Sequence, residues 1–175
     1  RRGDLSVLIS DASVIEALSN IQEGFQGDGA KIGGENWSQA ASHHREWFKK
    51  YAETYRYYDL LLINHAGDVI FSVAEESDLG ENIVHGPLKD SGLGKLVSKA
   101  KRLISIQDFE PYAPSGGQPA SFIGGPIIED GVFQGVVAAQ LPADVITGIT
   151  AERTGMGKTG ETYLVGNLEG VSAYR

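Results

Sequence analysis

The sequence contains no cysteine in its 175 residues. Disulfide bonds, thiolate nucleophiles and zinc sites built on thiolates are therefore excluded. It also lacks a run of about 18 apolar residues, the length that a helix needs to cross a bilayer, and it shows no signal-peptide pattern. We therefore predict no membrane span in this sequence. It begins at Arg1-Arg2 and ends at Tyr174-Arg175, which favours a piece of a longer protein.

Positive charge is scarce. Lys and Arg number 15 against 23 Asp and Glu, so the formal net charge is −8. A basic cluster between Lys95 and Arg102 has the spacing of a solvated helix face and not of a nucleic-acid stripe. With 41% hydrophobic and 22% charged residues, the composition is that of an ordinary globular domain. Nucleic acid is not expected as a partner.

The motifs of common catalytic and metal sites are incomplete. Residues 155–160 resemble a phosphate-binding loop, but the motif G-x-x-x-x-G-K-S/T requires glycine at position 152, where Glu152 stands. His43 and His44 do not form H-E-x-x-H, and neighbouring helix positions point about 100° apart. The nucleophile elbow G-x-S-x-G is absent. We therefore expect no enzyme, no metal site and no cofactor.

Two amphipathic helical patterns open the chain. Residues 5–23 place apolar side chains three or four apart, which predicts one helix with an apolar stripe. After a glycine-rich loop, Asn36 can cap a second helix that runs to residue 56. Trp37 and Trp47 lie on its apolar face. The near-heptad spacing of the 5–23 stripe also predicts a homodimer that forms through this helix.

Strand and turn patterns fill the middle of the chain. A hairpin is predicted at 58–73, and further strands at 104–109, 121–128 and 132–141. Pro87 suits the first turn of a helix between the second and third strands, and a short helix is expected at 143–152. Strands joined by hairpins favour an antiparallel sheet. The predicted fold class is α+β, with long N-terminal helices packed on a five-stranded antiparallel sheet.

A candidate site follows from polar and aromatic residues on separate strands. Gln140 is a polar residue in an otherwise apolar strand, and a buried polar group needs a hydrogen bond from the backbone or from a ligand. We place the site on the sheet face away from the long helices, under residues 108–119. Aromatic walls, an aromatic floor and polar contacts would line it. The candidate ligand-binding residues are Tyr58, Phe71, Asp108, Tyr112, Ser115, Phe122 and Gln140.

Several runs within residues 36–170 resemble a known family. They are Tyr58–Asn64, Gly67–Val73, Asp78–Ile83, Gly86–Leu93, Asp108–Ser115, Ala120–Ile123, Gly135–Pro142 and Thr159–Gly166. In this order they resemble the extracytoplasmic Cache sensor region of bacterial chemoreceptors, histidine kinases and nucleotide cyclases. The Arg-Trp-Tyr pattern of the amino-acid-binding branch is not found, so amino acids are not the default ligand.

The resemblance carries implications for fold, organisation and function. It implies a PAS-like sheet, a dimer formed through a long N-terminal helix, a small-molecule pocket and a parent protein anchored in the inner membrane. The implied organisation is a helical stalk and packing helix at 1–57, a sensor module at 58–150, and at 151–175 a linker and hairpin similar to the start of a second module. The implied function is a periplasmic sensor that passes ligand binding through its helices to the membrane. The alternatives are a structural dimerisation module without a ligand and a module that binds a partner protein.

Overall fold

Helices come first in the chain and strands follow. The structure, a computed structural model, describes residues 2–142, 165–168 and 171–174. The chain divides into two compact units after Pro142. The elements of the first unit are α1 (Arg2–Leu8), α2 (Ala12–Gly27), α3 (Glu35–Tyr55), β1 (Asp59–Asn64), β2 (Val69–Ser72), α4 (Gly92–Ala100), β3 (Ser105–Pro111), β4 (Pro119–Glu129) and β5 (Val132–Leu141).

The single helix predicted over residues 5–23 is two helices, so that expectation is wrong. The break comes at Asp11, the N-cap of α2, whose carboxylate accepts a hydrogen bond from the N–H of Ser13 at 2.8 Å. Aspartate side chains compete with the helical backbone for such donors, and they are favoured at helix starts for that reason. The apolar spacing continues across the break and conceals it in the sequence.

The apolar stripe of α1 and α2 is covered by the chain's own sheet. Its side chains lie in one core cluster with those of the strands, and Leu5, Leu8, Leu18 and Ile21 are each at most 3% exposed. A stripe buried in this way is not available to a second copy. The expectation that this stripe forms the homodimer contact is therefore wrong, because its near-heptad spacing serves packing within the chain; a homodimer through another face of the N-terminal helices stays a prediction.

The start of α3 is capped from a distance. Asn36 was expected to cap it, but the N-cap is Gly34, which provides no side-chain hydrogen bond. Asp28 does this instead, since its carboxylate accepts the N–H of Trp37 at 2.8 Å and that of Asn36 at 3.4 Å. The hydrogen bond from Trp37 is the main cause of the lowered pKa of Asp28. A Cβ at Gly34 would collide with this carboxylate, so glycine is needed there.

The first unit contains the predicted five-stranded antiparallel sheet, in the order β2-β1-β5-β4-β3. Side chains alternate between its two faces. On the face that packs against α1, α2 and α3, here called the α3 face, lie Leu60, Leu62, Val137 and Ala139. On the opposite face, here called the α4 face, Leu61, Ile63, Val136 and Ala138 pack against α4. The α+β fold class is confirmed.

The helix on the α4 face starts later than the sequence suggested. Pro87 was expected in its first turn, but α4 begins at Gly92 after the N-cap Ser91, whose hydroxyl accepts the N–H of Gly94 at 3.3 Å. The N-cap preference of serine explains this start. A Cβ at Gly94 would meet the carbonyl oxygens of Leu88 and Lys89, so glycine allows the preceding turn to close against the helix.

The outer edge of β2 is covered by hydrogen bonds from other segments. The indole N–H of Trp37 donates to the carbonyl of Ile70 at 2.8 Å, in a buried position. The N–H of Val69 donates to Glu81 at 3.0 Å, and the N–H of Gly80 donates to Val69 at 2.8 Å. Edge strands otherwise present unpaired backbone groups. Trp37 therefore ties α3 to the sheet.

The second unit shows a two-stranded antiparallel sheet of β6 (Val165–Leu168) and β7 (Val171–Tyr174). The sequence-based division at residues 57 and 150 stays a prediction. The helix expected at 143–152 and most of the expected linker lie outside the described residues. Across the helices of the described ranges, no segment combines the length and apolarity required of a membrane span.

We predict that Trp37→Phe destabilises the protein more than the matched change Trp47→Phe. Trp47 is only partly buried, whereas loss of the Trp37 indole leaves the buried carbonyl of Ile70 without its donor. An unsatisfied buried group costs about 1–3 kcal/mol. Urea unfolding followed by circular dichroism measures the difference as a lower midpoint at unchanged slope. Equal midpoints in the two variants would contradict the role given to this hydrogen bond.

Candidate ligand site on the α4 face

Strand register places polar residues side by side at one end of the α4 face. Gln140 in β5 is paired with Asp59 in β1 on one side and with Phe122 in β4 on the other. Leu61 and Ala138, two residues further along β1 and β5, belong to the core cluster under α4. Since side chains alternate along a strand, Asp59 and Gln140 point to that same face.

Asp59 is fully buried and each of its carboxylate oxygens is occupied. Oδ2 accepts the hydroxyl of Ser72 at 2.7 Å, and Oδ1 accepts the N–H groups of Val73 and Ala74 at 2.8 and 3.0 Å. Burial raises the pKa of Asp59 to about 7, although these hydrogen bonds oppose the rise. The carboxylate thus fixes the chain where it leaves β2.

Tyr112 and Asp78 form a second buried pair. The Tyr112 hydroxyl donates to Asp78 Oδ2 at 2.6 Å, and the two residues are 1% and 0% exposed. The Tyr112 ring meets Phe122 edge-on, with ring centroids 4.9 Å apart. Burial raises the pKa of both Asp78 and Tyr112. Asp78 Oδ1 is buried and has no hydrogen-bond partner within the described ranges.

Ser115 links Gln140 to an acidic residue. The Gln140 amide donates to Ser115 Oγ at 3.0 Å, and the Ser115 hydroxyl donates to Glu76 Oε2 at 2.7 Å. The other oxygen of Glu76 accepts the Tyr58 hydroxyl at 2.7 Å. Gln140 is 4% exposed, and its Oε1 has no partner in the part of the chain that the structure describes. We call Asp59, Glu76, Asp78, Tyr112, Ser115 and Gln140 the polar cluster.

The structure brings together most of the residues singled out in the sequence. Tyr112, Ser115 and Gln140 are in the polar cluster, Phe122 packs against it, and Tyr58 is bound to it although 47% exposed. Whether these residues hold a ligand stays a prediction.

Two of the selected residues lie elsewhere. Phe71 packs on Phe48 of α3 at 5.0 Å and belongs to the core of the α3 face, so its expected role as a floor of the α4-face site is wrong. Phe71 is paired with Leu62 of β1, whose side chain lies on the α3 face. Asp108 is exposed, and its Oδ1 accepts the N–H of Phe109 at 2.8 Å, in the irregular part of the β3–β4 pairing.

Sequence reasoning missed the three acids of the polar cluster. Asp59 carried a usable signal, because it interrupts an aromatic and apolar run between Tyr58 and Leu60. Asp78 and Glu76 lie in a polar loop between β2 and α4. Nothing in their local pattern separates them from solvated loop residues, since their burial comes from the 108–119 segment that lies over them.

The polar cluster is closed by the chain itself. Tyr112, Phe122 and Asp78 are at most 1% exposed, so a ligand must displace Tyr112 or its neighbours to reach the unpaired oxygens. An open groove of about 860 Å³ lies between α2 and α3, lined by Asn20 and His43 among others. We favour the polar cluster because the groove's described residues include no buried polar atom without a partner.

His44, in the wall of that groove, has an ordinary explanation. Its Nε2 lies 3.3 Å from the side-chain nitrogen of Asn20, and burial lowers its pKa. The described ranges hold no group of three or more His, Asp or Glu side chains placed to bind a metal ion.

Solved structures with the same fold are sensor domains of bacterial receptors. The chain is similar to the sensor domain of the V. cholerae histidine kinase DctB, with a TM-score of 0.62 and 17% identity over 85% of this chain and 50% of that one. It is also similar to the ligand-binding domain of the Pseudomonas fluorescens chemoreceptor CtaA, solved with L-serine, with a TM-score of 0.51 and 16% identity over 90% and 66%. No protein-family model and no curated protein matches the sequence.

These likenesses confirm the fold expected from the Cache resemblance. The chain spans about half the length of the DctB sensor domain.

We predict that Asp59→Asn changes the pH dependence of stability. The folded pKa of Asp59, about 7, lies above its ordinary 3.8. The proton on a buried acid therefore stabilises the fold fully below 3.8, and this contribution is lost as the pH rises towards 7. Between pH 4 and pH 8, the free energy of unfolding of the wild type should fall by up to about 4 kcal/mol relative to that of Asp59→Asn. Urea unfolding of both proteins measures it, and a difference that does not change with pH would refute it.

Proposed function

We propose that this chain is the extracytoplasmic small-molecule sensor module of a bacterial transmembrane signalling receptor, with its ligand bound at the polar cluster. One observation carries this proposal: Asp78 Oδ1 and Gln140 Oε1 are buried acceptors that have no hydrogen-bond partner among the residues that the structure describes. Each unsatisfied buried group costs about 1–3 kcal/mol. A ligand that donates to these oxygens removes that cost.

The chemistry of the cluster defines a class of ligand. The two unpaired oxygens are acceptors, and the site has a negative character through Glu76 and, when they are ionised, through Asp59 and Asp78. The two salt bridges found in the described part of the chain, Arg45–Glu75 and Lys95–Glu110, bring no cation into the cluster. The ligand class is therefore small molecules that present N–H or O–H donors, and a positive charge favours binding.

Access to the site runs through the segment over the sheet. Tyr112 starts a tight turn in which its N–H donates to Gln118 and its carbonyl accepts the N–H of Gly117. Gly116 and Gly117 have positive φ angles of 64° and 78°, a conformation that other residues resist. A ligand donor that reaches Asp78 Oδ1 must displace the Tyr112 side chain, which moves this turn outwards, and the 108–119 segment follows.

A route from the site to α3 exists in the segment after β2. Glu75 pairs with Arg45 of α3 at 2.6 Å, while its neighbour Glu76 binds Ser115 at 2.7 Å. Two adjacent carboxylates thus connect the helix and the ligand site. Displacement of Ser115 changes the restraint on Glu76, and through the shared backbone it changes the restraint on Glu75. In a transmembrane receptor, a shift of such helices transmits the signal across the membrane.

The main alternative is a structural module without a ligand. One observation favours it, because the aromatic ring of Tyr112 fills the space above Phe122 and leaves the cluster closed. In that case the unpaired oxygens are bound by water, and the module serves only to space the receptor's helices. A module that binds a partner protein would use the outer surface and leave the cluster undisturbed.

The experiment is a thermal-shift screen of donor-bearing small molecules, amines and polyols included. A ligand that binds the folded state at 100 times its Kd stabilises it by about 2.7 kcal/mol and raises Tm. We expect the shift to be lost in Asp78→Asn, which places an amide at the site, and kept in the matched control Ser98→Ala on the exposed side of α4.

Two outcomes would count against the proposal. A compound that shifts the wild type and Asp78→Asn equally binds somewhere else. A complete library without a shift supports the structural module. Tyr112→Ala is unsuitable for this screen, because removing a fully buried aromatic ring costs about 3–5 kcal/mol of stability. Tyr112→Phe keeps the ring and removes only the hydroxyl.

A further inference from the structure

We propose that the polar cluster is also a proton-binding site, in which a proton on the Asp78 carboxyl keeps the 108–119 segment closed and its loss loosens that segment. The inference rests on the proposed function, since it concerns the regulation of the same site. It makes the proton a competitor of the donor-bearing ligand for one oxygen atom.

Within the described part of the chain, the groups that act on Asp78 are acidic or neutral. Tyr112 comes from the segment between β3 and β4, Asp59 from β1, and Glu76 from the same loop as Asp78. Tyr58, before β1, also lies within its electrostatic range. When all three acids are ionised, the cluster holds three like charges, two of them on the buried side chains of Asp59 and Asp78, which is costly.

The unpaired oxygen Oδ1 of Asp78 is the atom on which we place the proton. Both oxygens of Asp59 are occupied by donors. Asp78 accepts the Tyr112 hydroxyl on Oδ2, whereas its Oδ1 is buried and has no hydrogen-bond partner among the described residues. A proton on Oδ1 turns a buried orphan acceptor into a donor. Gln140 Oε1, in the same cluster, is an acceptor that has no donor among the described residues.

Linkage fixes the direction of the response. Burial raises the pKa of Asp78 in the closed structure, Glu76 adds to the rise, and the Tyr112 hydroxyl opposes it. In an opened segment the carboxyl meets water and regains its ordinary pKa of 3.8. The closed form therefore binds the proton more tightly than the open form does. Above pH 3.8 the ratio of closed to open molecules falls, by up to tenfold per pH unit until the closed-state pKa is passed.

Hydrogen–deuterium exchange of the peptide that covers residues 108–119 tests this, without any ligand. Exchange rates are measured from pH 4 to pH 8 and divided by the intrinsic rate at each pH. We expect protection of this peptide to fall by tenfold or more across the range in the wild type. Asp78→Asn should show no such fall. Asp90→Asn, at an exposed aspartate before α4, is the matched control and should behave as the wild type.

Tyr112→Phe gives a second, independent arm. It removes the hydroxyl that favours the charged carboxylate and so raises the closed-state pKa, and the fall in protection should extend to higher pH. Circular dichroism checks that each variant is folded. If Asp78→Asn does not fold, the Tyr112→Phe measurement decides the proposal. A pH-independent wild type, or a fall in protection that survives in Asp78→Asn, overturns the proposal. A fall abolished in Asp59→Asn and kept in Asp78→Asn also overturns it, since the proton is then on Asp59.

The two proposals fail separately. If no compound shifts Tm but the exchange of residues 108–119 depends on pH, the small-molecule sensor is rejected and the proton-binding site is retained. If a ligand binds in a way that requires Asp78 but exchange does not depend on pH, the sensor proposal is retained and the proton-binding proposal is rejected.

Discussion

The polar side chains of Asp59, Asp78 and Gln140 are closed to water, and each must find its hydrogen-bond partners inside the protein. Asp59, Asp78 and Gln140 are each at most 4% exposed. Asp59 meets this requirement completely, with donors from the chain that follows β2. Asp78 and Gln140 meet it only in part. This shortfall at the sheet's end distinguishes the proposed site from an ordinary core, in which burial and hydrogen bonding are balanced.

The loop after β2 connects this site to the rest of the molecule. Its acidic side chains contact different parts of the molecule. Glu75 pairs with Arg45 of α3. Glu76 accepts a hydrogen bond from Ser115, and Asp78 accepts one from Tyr112. Glu75 has a positive φ of 53°, a costly conformation for a residue with a side chain. The hydrogen bond from its N–H to Ser72 Oγ, which itself binds Asp59, holds that conformation in place. The strain is thus maintained by the same buried acid that orders the site.

Much of the fold could be predicted because its signals are local. The hairpin of β1 and β2 and the long apolar strand β5 follow from alternation and turn residues, and α3 follows from its apolar face. The errors arose where a contact distant in sequence decides the outcome. Asp28 replaces the expected cap of α3, Phe71 turns to the α3 face, and the α1–α2 stripe packs on its own sheet. For the site, the sequence indicated Tyr112, Ser115 and Gln140, but the partners of these residues depend on a loop whose burial no local pattern encodes.

Both tryptophans of the chain lie on α3, and this gives the protein a built-in optical reporter. The Trp37 indole is bonded to the edge of the sheet at 2.8 Å, and the Trp47 ring stacks on Tyr51 with centroids 5.4 Å apart. Emission of Trp37 therefore senses the contact of helix and sheet, and emission of Trp47 senses the outer part of the same helix. Fluorescence of the unlabelled protein thus follows α3, the helix that Arg45 joins to the loop after β2.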